Sequence, residues 1–178
     1  MKQNRYGTGN SRSPVRKALL VSLAASCISL GLKTAAYFIT ASTAALSDAA
    51  ESVVHLFAVI FVVYGYYLSQ KPADDDHHYG HERVEYFSVG AEGAIIVVAG
   101  ITIMYNAIES AIFGIEIMNL GIGMILMAAA GLLNLVVGTY VTRVGRRERS
   151  MITVSNGRHT LTDVWTSGGV LLALGLIE

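Results

Sequence analysis

The fold of this sequence is decided by one nine-residue stretch, Ser47-Asp48-Ala49-Ala50-Glu51-Ser52-Val53-Val54-His55. Its three ionisable residues, Asp48, Glu51 and His55, are spaced i, i+3 and i+7, which places them on one face of a helix. The residues that follow, 56–63, are all apolar. Ionisable side chains at membrane depth are costly, and by default they mark an ion path or a binding site. The stretch therefore predicts a membrane-spanning helix that carries a functional site.

The composition places the chain among membrane proteins. Of its 178 residues, 53% are hydrophobic and only 15% are charged, whereas about 25% of residues are charged in typical soluble domains. The formal net charge is zero. The one cysteine, Cys27, excludes an internal disulfide and a thiolate-based zinc finger. Eighteen glycines favour helices that pack closely through small residues.

Five apolar segments are long enough to cross the hydrocarbon core, which needs about 20 residues. After a basic arm at residues 1–17, the predicted helices cover residues 18–39, 43–68, 87–113, 117–141 and 152–177. The expected fold class is therefore an all-α membrane protein whose single transmembrane domain covers residues 18–178.

Two isolated charges inside these helices need partners. Lys33 is expected to snorkel to the membrane interface or to pair with an acid. Glu92 is expected to pair with an arginine or lysine of a neighbouring helix, or to line a water-filled cavity. Neither spacing nor composition decides between these alternatives.

Basic residues alternate between the connections. The arm carries five lysines and arginines, residues 39–43 carry none, 71–85 carry two, the turn around Glu116 carries none, and 143–158 carry five. The positive-inside rule therefore predicts a cytoplasmic amino terminus, in the cell (inner) membrane. An odd number of spans leaves the chain ending on the outer side, which suggests truncation before a further helix.

A second stretch resembles the first: Ser155-Asn156-Gly157-Arg158-His159-Thr160-Leu161-Thr162-Asp163. His159 and Asp163 are spaced i, i+4, as are Glu51 and His55, so each pair stacks on one helical face. Two such pairs on facing helices offer two imidazoles and two carboxylates, which suits a tetrahedral divalent transition metal, zinc first. Magnesium and calcium prefer oxygen-only shells. The helical rise places both pairs near the membrane midplane, where a carrier binds its cargo.

Two further motifs carry a family resemblance: Ser42-Thr43-Ala44-Ala45-Leu46-Ser47-Asp48 and Lys71-Pro72-Ala73-Asp74-Asp75-Asp76-His77-His78-Tyr79-Gly80-His81. With the pair on the fifth helix, the chain resembles the cation diffusion facilitator (CDF) family of divalent metal transporters over nearly its whole length. The resemblance implies a six-helix transmembrane domain, a homodimer when full length, and a cytoplasmic carboxy-terminal domain. The sixth helix and that domain are expected to be absent here.

The resemblance implies a transport site of four metal ligands: Glu51, His55, His159 and Asp163. The pair Glu51 and His55 departs from the His/Asp or Asp/Asp pair that is commoner in the family at these positions. The metal preference is therefore open among zinc, iron, cobalt, nickel and cadmium. Asp48 is expected to cap the helix, to support a ligand, or to be an alternative ligand in a register with Ser52.

The resemblance also implies a second, shallower metal site in the loop after the second helix, formed by Asp74, His77 and His81. The alternative is a solvated polar loop that draws cations toward the entrance without binding one.

The expected function is efflux of a divalent transition-metal cation by metal/proton antiport. An imidazole binds metal only when it is deprotonated, so metal and protons compete for His55 and His159. The alternative is a non-transporting membrane metal sensor or assembly subunit. An intramembrane metalloenzyme is disfavoured because residues 81–85 do not complete a His-Glu-x-x-His motif. The expected partners are the lipid bilayer, divalent metal ions, protons and a second copy, with no nucleic acid, no prosthetic group and no enzymatic activity.

Overall fold

The computed structural model describes residues 12–41, 43–74, 77–78, 80–113 and 120–175. Within these ranges the chain forms five α-helices and no strands: α1 (Arg12–Thr40), α2 (Thr43–Ser69), α3 (Arg83–Phe113), α4 (Leu120–Glu148) and α5 (Met151–Gly175). The all-α fold class and the five long helices predicted from the sequence are confirmed.

The helices extend beyond the apolar segments from which they were predicted. α1 begins at Arg12 rather than at residue 18, α3 begins at Arg83 rather than at 87, and α4 continues to Glu148 rather than ending at 141. Hydropathy marks the part of a helix that lies in hydrocarbon, whereas the helix itself ends where its backbone hydrogen bonds end. Residues 1–11 of the predicted arm, and residues 117–119 and 176–177 of the predicted helices, lie outside the described ranges.

Among the described residues, four helical stretches are long and apolar enough to cross a membrane: Pro14–Thr40, Ala45–Ser69, Arg83–Thr102 and Gly121–Glu148. Their outer faces expose large apolar side chains such as Phe38, Phe57, Ile101 and Ile125. Exposed apolar surface on this scale requires a lipid environment. The chain is therefore an integral membrane protein.

The polar helix α5 packs against all four other helices, most extensively against α4. Small residues allow this close approach: a Cβ added at Gly157 would lie 2.6 Å from the backbone nitrogen of Thr142, and one at Gly145 would lie 2.7 Å from that of Val154. Packing through small residues is the usual way in which membrane helices associate. The polar side of α5 is thereby enclosed by protein.

Two tight turns orient the helices. Ala41 follows α1 with a φ of 51°, and Arg149 follows α4 with a φ of 55°. Both are non-glycine residues in the left-handed region, the conformation that commonly ends a helix. The Ala41 N–H donates to the Tyr37 carbonyl, and the Ser150 N–H donates to that of Gly145. α1 and α2, and likewise α4 and α5, therefore form antiparallel pairs.

Candidate metal centre

Three of the residues predicted to bind metal meet between α2 and α5. His55, His159 and Asp163 are all buried, and each places one potential ligand atom within 4.8 Å of the other two. The two imidazole rings lie edge to face, with centroids 4.6 Å apart. Two imidazoles and a carboxylate within this distance can bind one divalent transition metal.

Within the part of the chain that the structure describes, His55 has no hydrogen-bond partner at either ring nitrogen, although its side chain is buried. Its Nδ1 lies 3.3 Å from Asp163 Oδ2, but the angles do not form a hydrogen bond. A buried polar atom without a partner is costly, so such atoms in native proteins call for an explanation. Coordination of a metal ion by one ring nitrogen would supply it.

Glu92 on α3 belongs to this centre, and its partner is a histidine rather than the arginine or lysine of one of the two alternatives expected from the sequence. Its Oε1 accepts a hydrogen bond from His159 Nδ1, at 3.3 Å, and the residue is 0% exposed. An ionised carboxylate can only accept, and with Glu92 in that state a neutral His159 imidazole would carry its proton on Nδ1 and its lone pair on Nε2. Carboxylate–histidine pairs orient metal-ligating imidazoles in this way. A glutamate in an apolar helix was the available signal, but spacing alone gave no partner.

Glu51, the fourth predicted ligand, lines the same cavity without joining the cluster. The cavity has a volume of about 70 Å³ and lies between α2, α3 and α5, with Glu51, His55, His159 and Asp163 in its wall. The Glu51 carboxylate is half-buried and is not among the atoms that lie within 4.8 Å of one another. Glu51 therefore lies in the wall of the cavity, outside the cluster of His55, His159 and Asp163.

Asp48 does not join the cluster either, and it pairs with a lysine. Lys33 Nζ lies 2.8 Å from Asp48 Oδ1, and both side chains are 1% exposed. Lys33 does not snorkel to the interface, which was one of its two expected outcomes, because its side chain is enclosed between helices. It pairs with an acid, which was the other. Ser52, the partner of Asp48 in the alternative register, donates its hydroxyl to the Asp48 carbonyl.

A row of cavities follows α3 past the centre. A cavity of about 510 Å³ begins at the α4–α5 turn, beside Arg149 and Ser150, and ends at His159. The central cavity shares His159 with it. A third cavity, of about 120 Å³, shares Glu51 with the central one and continues toward Ser47 at the start of α2. Neighbouring cavities in this row share lining residues, and the centre lies at the middle one.

The loop between α2 and α3 brings together a second group. Asp74, His77 and His81 also place ligand atoms within 4.8 Å of one another, with only His81 buried. Slight desolvation of the Asp74 carboxyl is outweighed by hydrogen bonds from the backbone and side chain of His77, and these lower the pKa of Asp74. Asp75, Asp76 and Tyr79 of the same motif lie outside the described residues.

Comparison with known proteins agrees with this geometry. Residues 19–178 match the family described as the cation efflux transmembrane domain. The chain is 40% identical over 162 residues to an uncharacterized transporter of Synechocystis sp.. This alignment covers 91% of the chain and 52% of that protein. It is 26% identical to the cation-efflux pump FieF of Shigella boydii and of Escherichia coli, covering 91% of the chain and 54% of each pump.

The chain spans about half the length of the curated relatives it matches. The matched half is the transmembrane part, and it includes both groups of potential metal ligands. A family match over nearly all of the chain, together with apolar helices and a buried imidazole–carboxylate centre, agrees with the resemblance carried by the sequence motifs. This chain belongs to the cation diffusion facilitator family.

Proposed function

We propose that this chain is the transmembrane part of an efflux transporter for a divalent transition-metal cation. The observation that carries the proposal is the meeting of His55, His159 and Asp163 in the protein interior, on two helices that run in opposite directions. Buried ionisable residues in membrane helices mark ion pathways. The printed name of the FieF relatives, cation-efflux pump, points to the same function.

Zinc is the first candidate for the transported ion. Two imidazoles and two carboxylates, with Glu51 moving in from the edge of the cavity, would complete a tetrahedral shell. The charge of two carboxylates matches that of one divalent cation, which lowers the cost of holding the ion in a low-dielectric medium. Iron, cobalt, nickel and cadmium also accept this donor set, whereas magnesium and calcium prefer oxygen alone.

Metal/proton antiport follows from the chemistry of the imidazole ligands. His55 and His159 bind a metal only in their deprotonated form, so arrival of the ion displaces protons and arrival of protons displaces the ion. The cavities on either side of the centre offer the two directions of access. A carrier that opens them in turn would exchange one ion for protons.

The loop group of Asp74, His77 and His81 is proposed as a second metal site. It lies outside the apolar helices, and two of its three residues are exposed. An exposed site would exchange metal faster than the buried centre, because its ligands need not be uncovered. From the alternation of basic connections we propose that this loop and the amino terminus lie on the cytoplasmic side of the inner membrane, and that the intact protein is a homodimer.

Transport is tested with the intact protein reconstituted into vesicles that contain a zinc-sensitive dye. A pH gradient is expected to drive zinc uptake, and the double change Glu51→Ala, His159→Ala is expected to abolish it. Uptake that ignored both the gradient and the double change would reject the proposal. Zinc binding without any flux would identify a metal sensor or assembly subunit instead.

A further inference from the structure

Lys33 forms a buried ion pair that the transport chemistry does not use. Its Nζ lies 2.8 Å from Asp48 Oδ1, with both side chains 1% exposed. The same carboxylate accepts a hydrogen bond from the hydroxyl of Ser167, whose Oγ lies 3.3 Å from Oδ1 and 3.5 Å from Oδ2. The three residues lie on α1, α2 and α5, so one carboxylate connects three helices.

This ion pair lies beside the metal centre, further toward the amino end of α2. Asp48 precedes Glu51 by three residues, so the two carboxylates share a helical face about one turn apart. Ser167 follows Asp163 by four residues and is likewise displaced by one turn along α5. Because α2 and α5 run in opposite directions, Asp48 and Ser167 lie on the same side of the metal centre and contact each other.

Asp48 and Ser167, with Glu51 one turn away, would form an oxygen-only cation site if Lys33 were absent. Carboxylate and hydroxyl oxygens suit hard ions such as manganese and magnesium better than they suit zinc or cadmium. In the structure the ammonium of Lys33 lies 2.8 Å from Asp48 Oδ1, where such an ion would bind this carboxylate. A buried carboxylate that loses its partner is strongly unfavourable, so it would take up either a proton or another cation, and metal titration distinguishes the two.

We propose that Lys33 is a built-in cation that fills this oxygen site and thereby restricts metal binding to the adjacent imidazole-containing centre. The inference rests on the proposed function, since it assigns Lys33 a role in the ion selectivity of that centre. Lys33 touches no transported ion and acts through Asp48, so it is a positioning residue. Two effects follow from the charges: removal of Lys33 exposes a hard-ion site, and removal of Asp48 frees an ammonium beside the centre.

The test measures Mn²⁺ and Cd²⁺ binding to the intact protein in detergent by isothermal titration calorimetry. A His81→Ala background removes the contribution of the loop group. Lys33→Met is expected to raise the affinity for Mn²⁺ relative to Cd²⁺ by about tenfold or more, the scale on which partners of ligands alter metal affinity. Lys17→Met, an exposed lysine on the same helix, is the matched control and is expected to leave the ratio unchanged.

Asp48→Asn tests the inference in the opposite direction and does not depend on the folding of the first variant. In this variant the unpaired ammonium of Lys33 is expected to repel both metal ions and to weaken their binding by about tenfold. The double change Lys33→Met, Asp48→Asn removes both charges and is expected to restore the affinities and their ratio. A packing role would instead leave the double variant as impaired as the worse single one.

The outcomes separate the two levels of the argument. If the protein without changes at Lys33 or Asp48 binds Cd²⁺ but Lys33→Met leaves the Mn²⁺/Cd²⁺ ratio unaltered, the inference about Lys33 is overturned and the proposed function stands. A double variant that fails to recover has the same consequence. If the protein without these changes binds no Cd²⁺ at the buried centre, the proposed function itself is overturned.

Discussion

At the scale of single residues, the proposed metal binding would depend on the orientation of the His159 imidazole. The imidazole can turn about its side-chain torsions, and the wrong tautomer would present an N–H to the ion. The hydrogen bond to Glu92 fixes both the ring and its proton. Glu92 reaches this position from α3, whereas His159 and Asp163 lie on α5. A residue of α3 therefore orients the His159 imidazole in the centre between α2 and α5.

Replacing Glu92 tests this control. Glu92→Gln keeps the size of the side chain but turns its carboxylate into an amide, which can also donate and so favour the other tautomer of His159. We expect the affinity for Zn²⁺ or Cd²⁺ at the buried centre to fall by about 10–100-fold, the usual effect of removing such a partner. Calorimetric titration measures it, and Glu85→Gln on the same helix is the matched control. Equal affinities in both variants would contradict the role of Glu92.

The sequence predicted which polar residues lie together better than it predicted the partners of Lys33 and Glu92. Spacing of i, i+4 is a local property of a helix, so it placed Glu51 with His55 and His159 with Asp163 on common faces without knowledge of the fold. The partners of Lys33 and Glu92 come from other helices, at separations of 15 and 67 residues. Such contacts depend on how helices pack, which no local pattern encodes.

At the scale of the elements, the contact between α4 and α5 holds the centre in register. Gly157 lies two residues before His159, and a Cβ there would lie 2.6 Å from the Thr142 backbone nitrogen. Backbone atoms cannot move aside as a flexible side chain does. α5 would therefore have to shift, and the imidazole with it.

A pair of glycine substitutions on the α4–α5 hairpin tests the contact. Gly157→Ala is expected to lower the free energy of unfolding by about 1–3 kcal/mol, because overpacking forces the backbone apart. Gly131→Ala on α4 has no neighbouring atom within 4 Å of the added Cβ, so its stability is expected to be unchanged or slightly higher. Unfolding in a titration with sodium dodecyl sulfate measures both. Equal loss in the two variants would contradict the packing argument.

The loop between α2 and α3 permits a stoichiometric test. His81→Ala is expected to reduce the number of Cd²⁺ ions bound per chain by one and to leave the affinity of the buried centre unchanged, because the two groups share no residue. His78→Ala changes a neighbouring exposed histidine outside the group and is expected to keep the full number. Equilibrium dialysis counts the ions. Loss of an ion in the His78 variant alone would assign the site to different ligands.

At the scale of the whole molecule, the alternation of basic connections predicts a direction across the membrane. Ala41 lies in the turn between α1 and α2, and Arg147 lies near the end of α4, both in described residues. In a Cys27→Ala background, Ala41→Cys is expected to react with a membrane-impermeant maleimide in intact cells. Arg147→Cys is expected to react only after the cells are permeabilised. The reverse pattern of labelling would contradict the proposed orientation.

The overall architecture could be predicted because lipid leaves few alternatives. Every backbone polar group in hydrocarbon must be satisfied within its own segment, so long apolar segments predict helices directly, and four of the five described helices contain such a segment. Their ends were predicted less well, since Arg12 and Glu148 continue helices in polar sequence. The order in which the helices pack was beyond prediction, because apolar faces of similar composition carry no information about which neighbour they meet.

The left-handed turns at Ala41 and Arg149 tie α1 to α2 and α4 to α5 with hardly any intervening chain, while α3 follows a loop of more than ten residues. The two hairpins therefore form a frame, beside which α3 is joined to α2 by a longer connection. Were α3 to swing outward, Glu92 would leave with it and the bond to His159 would break. The imidazole would then be free to turn, so a movement of α3 alone would weaken metal binding at the proposed centre without any change in the frame.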